Sequence, residues 1–135
     1  MPRLSDDTLF KRALPLAIAD RMALADAYPR ESEHWAAARA QAAEMEKLKG
    51  RKLGELSDEE QQVAYSVFDF AAIWEAELAR SMGNSDRAVS DYSARNARMF
   101  TEVRLRRWGK SEFERMLENS KPISLEELLK RTKQT

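Results

Sequence analysis

Cysteine is absent from the 135 residues, and histidine occurs once, at His34. Without a thiol the chain has no disulfide, no thiolate nucleophile, no iron–sulfur cluster and no cysteine zinc site, a composition that fits a reducing compartment. Glycine and proline number four each, too few for the turn-dense pattern of a sheet protein. No apolar run approaches the roughly twenty residues of a membrane span. The opening residues Met1 to Asp7 also lack the apolar core of a secretory signal, so the expected location is cytoplasmic and no membrane contact is expected. Glycine-rich phosphate loops, Gly-x-Ser-x-Gly elbows and zinc-ligand spacings are missing as well. On those grounds we expect neither a metal nor a cofactor.

What the chain does contain is helix. Charged residues make up 34% and hydrophobic residues 43%, and the length suits a single all-α domain over 1–135 that folds alone or as a small homo-oligomer, a homodimer included. Three serines are each followed three residues on by a glutamate: Ser57 and Glu60, Ser111 and Glu114, Ser124 and Glu127. In such a box the serine oxygen accepts from an early helical N–H while the glutamate reaches back to the serine's own N–H. With these marks the sequence predicts a bundle of four principal helices and two short C-terminal ones. The first spans about 5–28, starting at Ser5 with Asp6 and Asp7 in its first turn and broken or kinked at Pro15. The second covers 32–49 and closes at Gly50; the third covers 58–82 and the fourth 85–108, with short helices at 112–119 and 125–132. Residues 50–56 read as the one plausible long linker or flexible hinge.

Apolar spacing assigns the faces. Phe10, Leu14, Ile18 and Met22 face inward from the first helix, and Trp35, Ala38, Ala42, Met45 and Leu48 or Lys49 from the second. The third has Val63, Val67, Phe70 or Ala71, Trp74, Leu78 and Met82, and the fourth has Val89, Tyr92, Asn96, Met99, Phe100 and Val103. Helices of about 24 residues reach about 36 Å, so the third and fourth pair as a long antiparallel hairpin. Trp35, Trp74 and Trp108 read as core anchors, Trp108 being the most exposed. Asn96 stands out as an amide on an apolar face, where it needs a partner or water and is able to fix helix register.

One segment carries a resemblance. From Trp74 to Ser93, Ala79, Gly83 and Val89 sit at the offsets of a small residue, a turn glycine and an apolar residue, supported by Leu78, Met82 and Tyr92. The segment thereby resembles the helix-turn-helix of bacterial DNA-binding regulators. That resemblance implies a major-groove face made of Ser85, Asp86, Arg87, Ser90 and Asp91, with Ser85, Arg87 and Ser90 as the DNA contacts. Two aspartates facing a polyanion oppose this, and the same residues also describe an ordinary helical hairpin.

Charge is balanced overall at 23 bases and 23 acids, yet it is segregated. Residues 58–82 hold six acids against Arg80, whereas 83–110 hold seven bases against three acids. Pairing between the two helices neutralises much of this, and Arg87, Arg95, Arg98 and Arg106 are the candidates for it. The cluster Arg104, Arg106, Arg107, Trp108 and Lys110 lies at the helix end, where guanidinium groups and tryptophan suit an interface hot spot. The leading expectation is a non-enzymatic regulator or adaptor that binds a protein or nucleic-acid partner through that cluster. A DNA-binding regulator comes second. An enzyme comes third, because His34 with Glu31 is half of a di-iron ligand set at most, and Glu44 with Glu75 or Glu77 is a carboxylate grouping that only the fold or oligomerisation would assemble. Caps, periodicity and composition agree, so circular dichroism of the metal-free chain should show an almost wholly helical protein that a chelator leaves folded.

Overall fold

The computed structural model describes residues 4–110 and 112–119, so the Ser111 and Ser124 capping positions and the expected 125–132 helix lie outside the described residues. Five α-helices follow in order: α1 Asp6–Asp26, α2 Glu33–Glu46, α3 Asp58–Met82, α4 Arg87–Trp108 and α5 Glu112–Asn119, with one short 3-10 turn at Leu53–Glu55. Among the described residues there is no strand, and no helix is long and apolar enough to cross a membrane. The expected all-α bundle of four long helices is what forms.

Local chemistry fixes the helix starts. Ser5 accepts from the Thr8 N–H at 3.1 Å and Ser32 from the Trp35 N–H at 3.2 Å. The capping box at α3 is complete: Ser57 Oγ accepts from the Glu60 N–H at 3.2 Å while Glu60 Oε1 accepts from the Ser57 N–H at 3.0 Å. The bond from the Ser57 N–H holds the Glu60 carboxyl below its ordinary range. A lowered carboxyl stabilises the fold above its unfolded value, and this contribution fades as pH falls through the lowered one.

Several boundaries differ from expectation. α1 runs through Pro15 as one helix, so of the expected break or kink the break does not occur. Pro15 and Lys11 are both exposed, so the Lys11 carbonyl that the proline leaves unbonded is on the water side. α2 stops at Glu46 rather than 49, and bonds from the N–H groups of Leu48, Lys49 and Arg51 to carbonyls three residues back wind the chain tighter while keeping Leu48 in the core. Gly50 then takes the left-handed conformation at φ 79°, as its place after a helix suggested. α4 begins at Arg87, two residues late, because Asp86 is its cap and accepts from the Val89 N–H at 3.1 Å.

The segment 50–56 links α2 to α3 as expected, but as a packed linker and not a hinge. Leu53 and Leu56 are buried, the Leu53 N–H donates to Asp7 Oδ1 at 2.9 Å, and its carbonyl accepts from Gln61 Nε2 at 2.7 Å. Arg51 adds an ion pair to Glu60 at 3.0 Å.

Packing follows the order α2, α1, α3, α4, with α3 against both α1 and α4. The meeting point is Phe68, which has no exposed surface and whose ring lies 5.8 Å from Phe10, 6.3 Å from Phe100 and 5.8 Å from Trp108. Leu9, Leu14, Ala17, Met45, Leu48, Val67, Ala71 and Val103 complete the core. Arg21 ties three helices together: its guanidinium stacks 3.6 Å over Phe70, pairs with Asp20 at 2.6 Å and donates to Gln41 at 3.3 Å.

Two face assignments change. Because α3 is packed on two sides, its buried stripe passes through Ala64, Val67, Phe68, Ala71, Ala72 and Glu75, and Val63, Trp74, Leu78 and Met82 are only half-buried. On α4, Ser93 takes the buried place expected for Tyr92, which is 54% exposed. Phe68→Ala should therefore cost about 3–5 kcal/mol in urea unfolding, and Trp74→Ala clearly less, since only part of the indole leaves water on folding.

Candidate interaction surface

The α3–α4 hairpin carries all the residues that the sequence singled out for partner binding or for DNA except Lys110, which follows the Gly109 cap of α4. It is antiparallel along its length: Ser90 Oγ donates to the Ala79 carbonyl at 2.7 Å, Asn96 Nδ2 to Glu75 at 3.0 Å, Arg104 Nη1 to Tyr65 Oη at 3.0 Å and Trp108 Nε1 to Gln61 at 3.2 Å. Contacts that descend α3 while climbing α4 describe a bundle hairpin, whereas a helix-turn-helix crosses at about 90–120°. Of the residues implied as DNA contacts, Ser85 and Arg87 are exposed, Ser90 is turned onto α3, and Asp86 is occupied as a helix cap.

The basic cluster at the end of α4 is engaged within the chain. Arg104 has a side chain only 7% exposed; it pairs with Glu114 of α5 at 2.7 Å, approaches Asp69 at 3.6 Å, and its guanidinium lies 5.4 Å from the Tyr65 ring centre. Its Nε is buried and makes no hydrogen bond among the described residues. Hydrogen bonding to Glu114 holds the guanidinium in its charged form, while burial pushes the Asp69 carboxyl above its ordinary range against the pull of Arg104. Arg106 and Arg107 both pair with Asp6 of α1, Arg107 at 3.2 Å, and Lys110 pairs with Glu118 at 2.6 Å. Trp108 is half-buried against Phe68 and Tyr65, and its remaining surface lines a hollow of about 230 Å³ with Gln61, Gln62 and Tyr65. The cluster is a junction that joins α1, α4 and α5.

Asn96 has its partner. Its amide faces Glu75, and both are buried, at 9% and 4% exposure. Glu75 is thus withdrawn from any grouping with Glu44 or Glu77, which pair locally with Lys47 and Arg80. His34 is exposed and stacks on Tyr28 with ring centres 4.7 Å apart. Among the described residues no three acids or histidines are arranged to hold a metal.

The surface left open is one that sequence reasoning missed. A groove of about 440 Å³ runs between α3 and α4, its apolar lining formed by Ala72, Ile73, Ala76 and Ala97 with Thr101, and its rim carrying Asp69, Arg98 and Glu102. Ile73 is 49% exposed. Arg98 and Glu102 are exposed and make no ion pair among the described residues. The available signal was Ile73 itself, an aliphatic residue off the apolar stripe of its helix. Comparison with protein-family models, with curated proteins and with solved structures finds no match to this chain.

The two kinds of arginine should respond differently to removal. Arg104→Ala removes a cation from beside Asp69 and Glu114 and uncovers Tyr65, but both acids reach water, so its cost in urea unfolding should fall in the range of about 1–3 kcal/mol. Arg107→Ala breaks only an exposed pair and should cost less than about 1 kcal/mol.

Proposed function

We propose that this chain acts by binding another protein chain through the outward face of the α3–α4 hairpin, and not by catalysis. The observation that carries the reading is the groove: apolar along its lining, open to solvent, and edged by charges of both signs, with a half-exposed isoleucine in its lining. A contiguous apolar depression with a polar rim is the usual form of a protein-binding surface, in which the apolar centre supplies affinity and the rim selects the partner. The cluster at Arg104 to Lys110 contributes by holding α4 in place, since its charges are met by acids of the same chain.

A second reading has an observation of its own. Arg87, Arg95 and Arg98 are exposed and make no ion pair among the described residues, so a stripe of α4 retains positive charge able to meet phosphates. It ranks lower because Asp91 and Glu102 are exposed on the same helix and the whole chain is neutral.

Ile73→Arg tests the leading reading, because an exposed position accepts the change without loss of fold. Affinity capture from extracts of the native cells should retain a specific protein with the unaltered chain and lose it with Ile73→Arg, while both melt alike. Equal retention by the two would overturn the groove as the binding surface. Retention that instead disappears with rising salt and on Arg87→Ala or Arg95→Ala would favour nucleic acid.

A further inference from the structure

Resting on that reading, we infer that the occupant of the α3–α4 groove is a second copy of this chain, docked about a two-fold axis that sets α4 antiparallel to its mate. A two-fold contact uses one surface twice, so that surface must contain both its projection and the recess that receives it. This face does. Ile73 offers apolar surface that is 49% exposed, and Ala72, Ala76 and Ala97, whose side chains end at Cβ, line the recess with it. Small side chains at the contact also let helices approach toward the near end of the roughly 8–10 Å interaxial range.

The charges agree with the same geometry. Arg98 and Glu102 stand one turn apart on α4 at the rim of the groove, both exposed and with no ion pair among the described residues. With the base preceding the acid by four residues, their order along the helix is the weaker orientation for an intrahelical pair, which leaves both groups available. An axis passing between them brings Arg98 of each copy to Glu102 of the other, so one turn of helix supplies two reciprocal ion pairs. At zero net charge, no overall repulsion opposes the approach of two identical molecules.

The test is sedimentation equilibrium of the full chain at neutral pH and low salt, with circular dichroism to confirm fold. The unaltered chain should associate to twice its 15.5 kDa mass. Arg98→Glu sets acid against acid at both contacts, and Glu102→Arg sets base against base; each should weaken association at least about tenfold, as should Ile73→Arg. Association should return when the two charge changes are combined in one chain, and also when the single variants are mixed, because each pairing is then again base with acid. A chain that stays monomeric at every concentration overturns the second copy as occupant. If Ile73→Arg nevertheless abolishes capture of a different protein, the groove remains a binding surface and only the identity of its partner was wrong; if it abolishes nothing, the groove reading falls with it. A dimer indifferent to Ile73→Arg and to the charge changes uses another face and overturns the inference as well.

Discussion

The packing of the Phe68 ring is the constraint from which the other contacts take their positions. α3 lies between α1 and α4, and Phe68 is where the three meet, touching Phe10 on one side and Phe100 and Trp108 on the other. Aromatic rings at these separations add to simple area burial, and a ring with no exposed surface tolerates little shift of its neighbours. Seating Trp108 there brings the end of α4 beside Gln61 and Tyr65, and that in turn lays Arg104 along Tyr65 with Glu114 of α5 within reach. The position of α5 is thus a consequence of an apolar contact two helices away.

Polar groups then select one register from those the apolar core allows. The Glu75–Asn96 hydrogen bond is buried between α3 and α4, and sliding one helix by a turn would leave a carboxylate without its donor in the interior. A mismatch of that kind costs more than the bond itself contributes, so the pair acts mainly against wrong alignments. Ser90 on the Ala79 carbonyl repeats the register near the turn, and Arg104 on Tyr65 repeats it near the far end. Within the same hairpin the acids of α3 do not absorb all the bases of α4. Arg104 meets Asp69, but Arg106 and Arg107 turn to Asp6 of α1, and Arg87, Arg95 and Arg98 are left facing solvent.

Features written by neighbouring residues were legible. The Ser57 box, the caps at Ser5 and Ser32, the left-handed Gly50 and the all-α class each depend on a few consecutive side chains or on a repeated spacing. Features that depend on what the fold brings together were not. Asp6 and Arg106 are joined across most of the chain, and no spacing rule announces that the acid of one helix start will neutralise the end of another. A single apolar stripe also describes α3 badly, because a helix packed on two sides buries a wider arc, and Trp74 and Leu78 fall toward its edge. Likewise the 50–56 segment looked free because its glycines are local signals while Leu53, Asp7 and Gln61 meet only in the folded molecule.

What the fold leaves unexplained is also informative. Alanines at 72, 76 and 97 need no special purpose, since alanine is the best helix former and fits buried and exposed positions alike. Ile73 is different. As a β-branched residue it gives a helix less than alanine or leucine would, and at half exposure it recovers only part of the free energy of burial. A lone surface isoleucine is ordinary, but this one lines an alanine-rich groove whose rim carries two exposed charges of opposite sign that make no ion pair among the described residues. Arg98 and Glu102 would stabilise α4 better in the reverse order, and alanine at position 73 would be the better helix former. Under the reading proposed above, a protein chain covering the groove gives all three groups a contact that the isolated bundle does not supply.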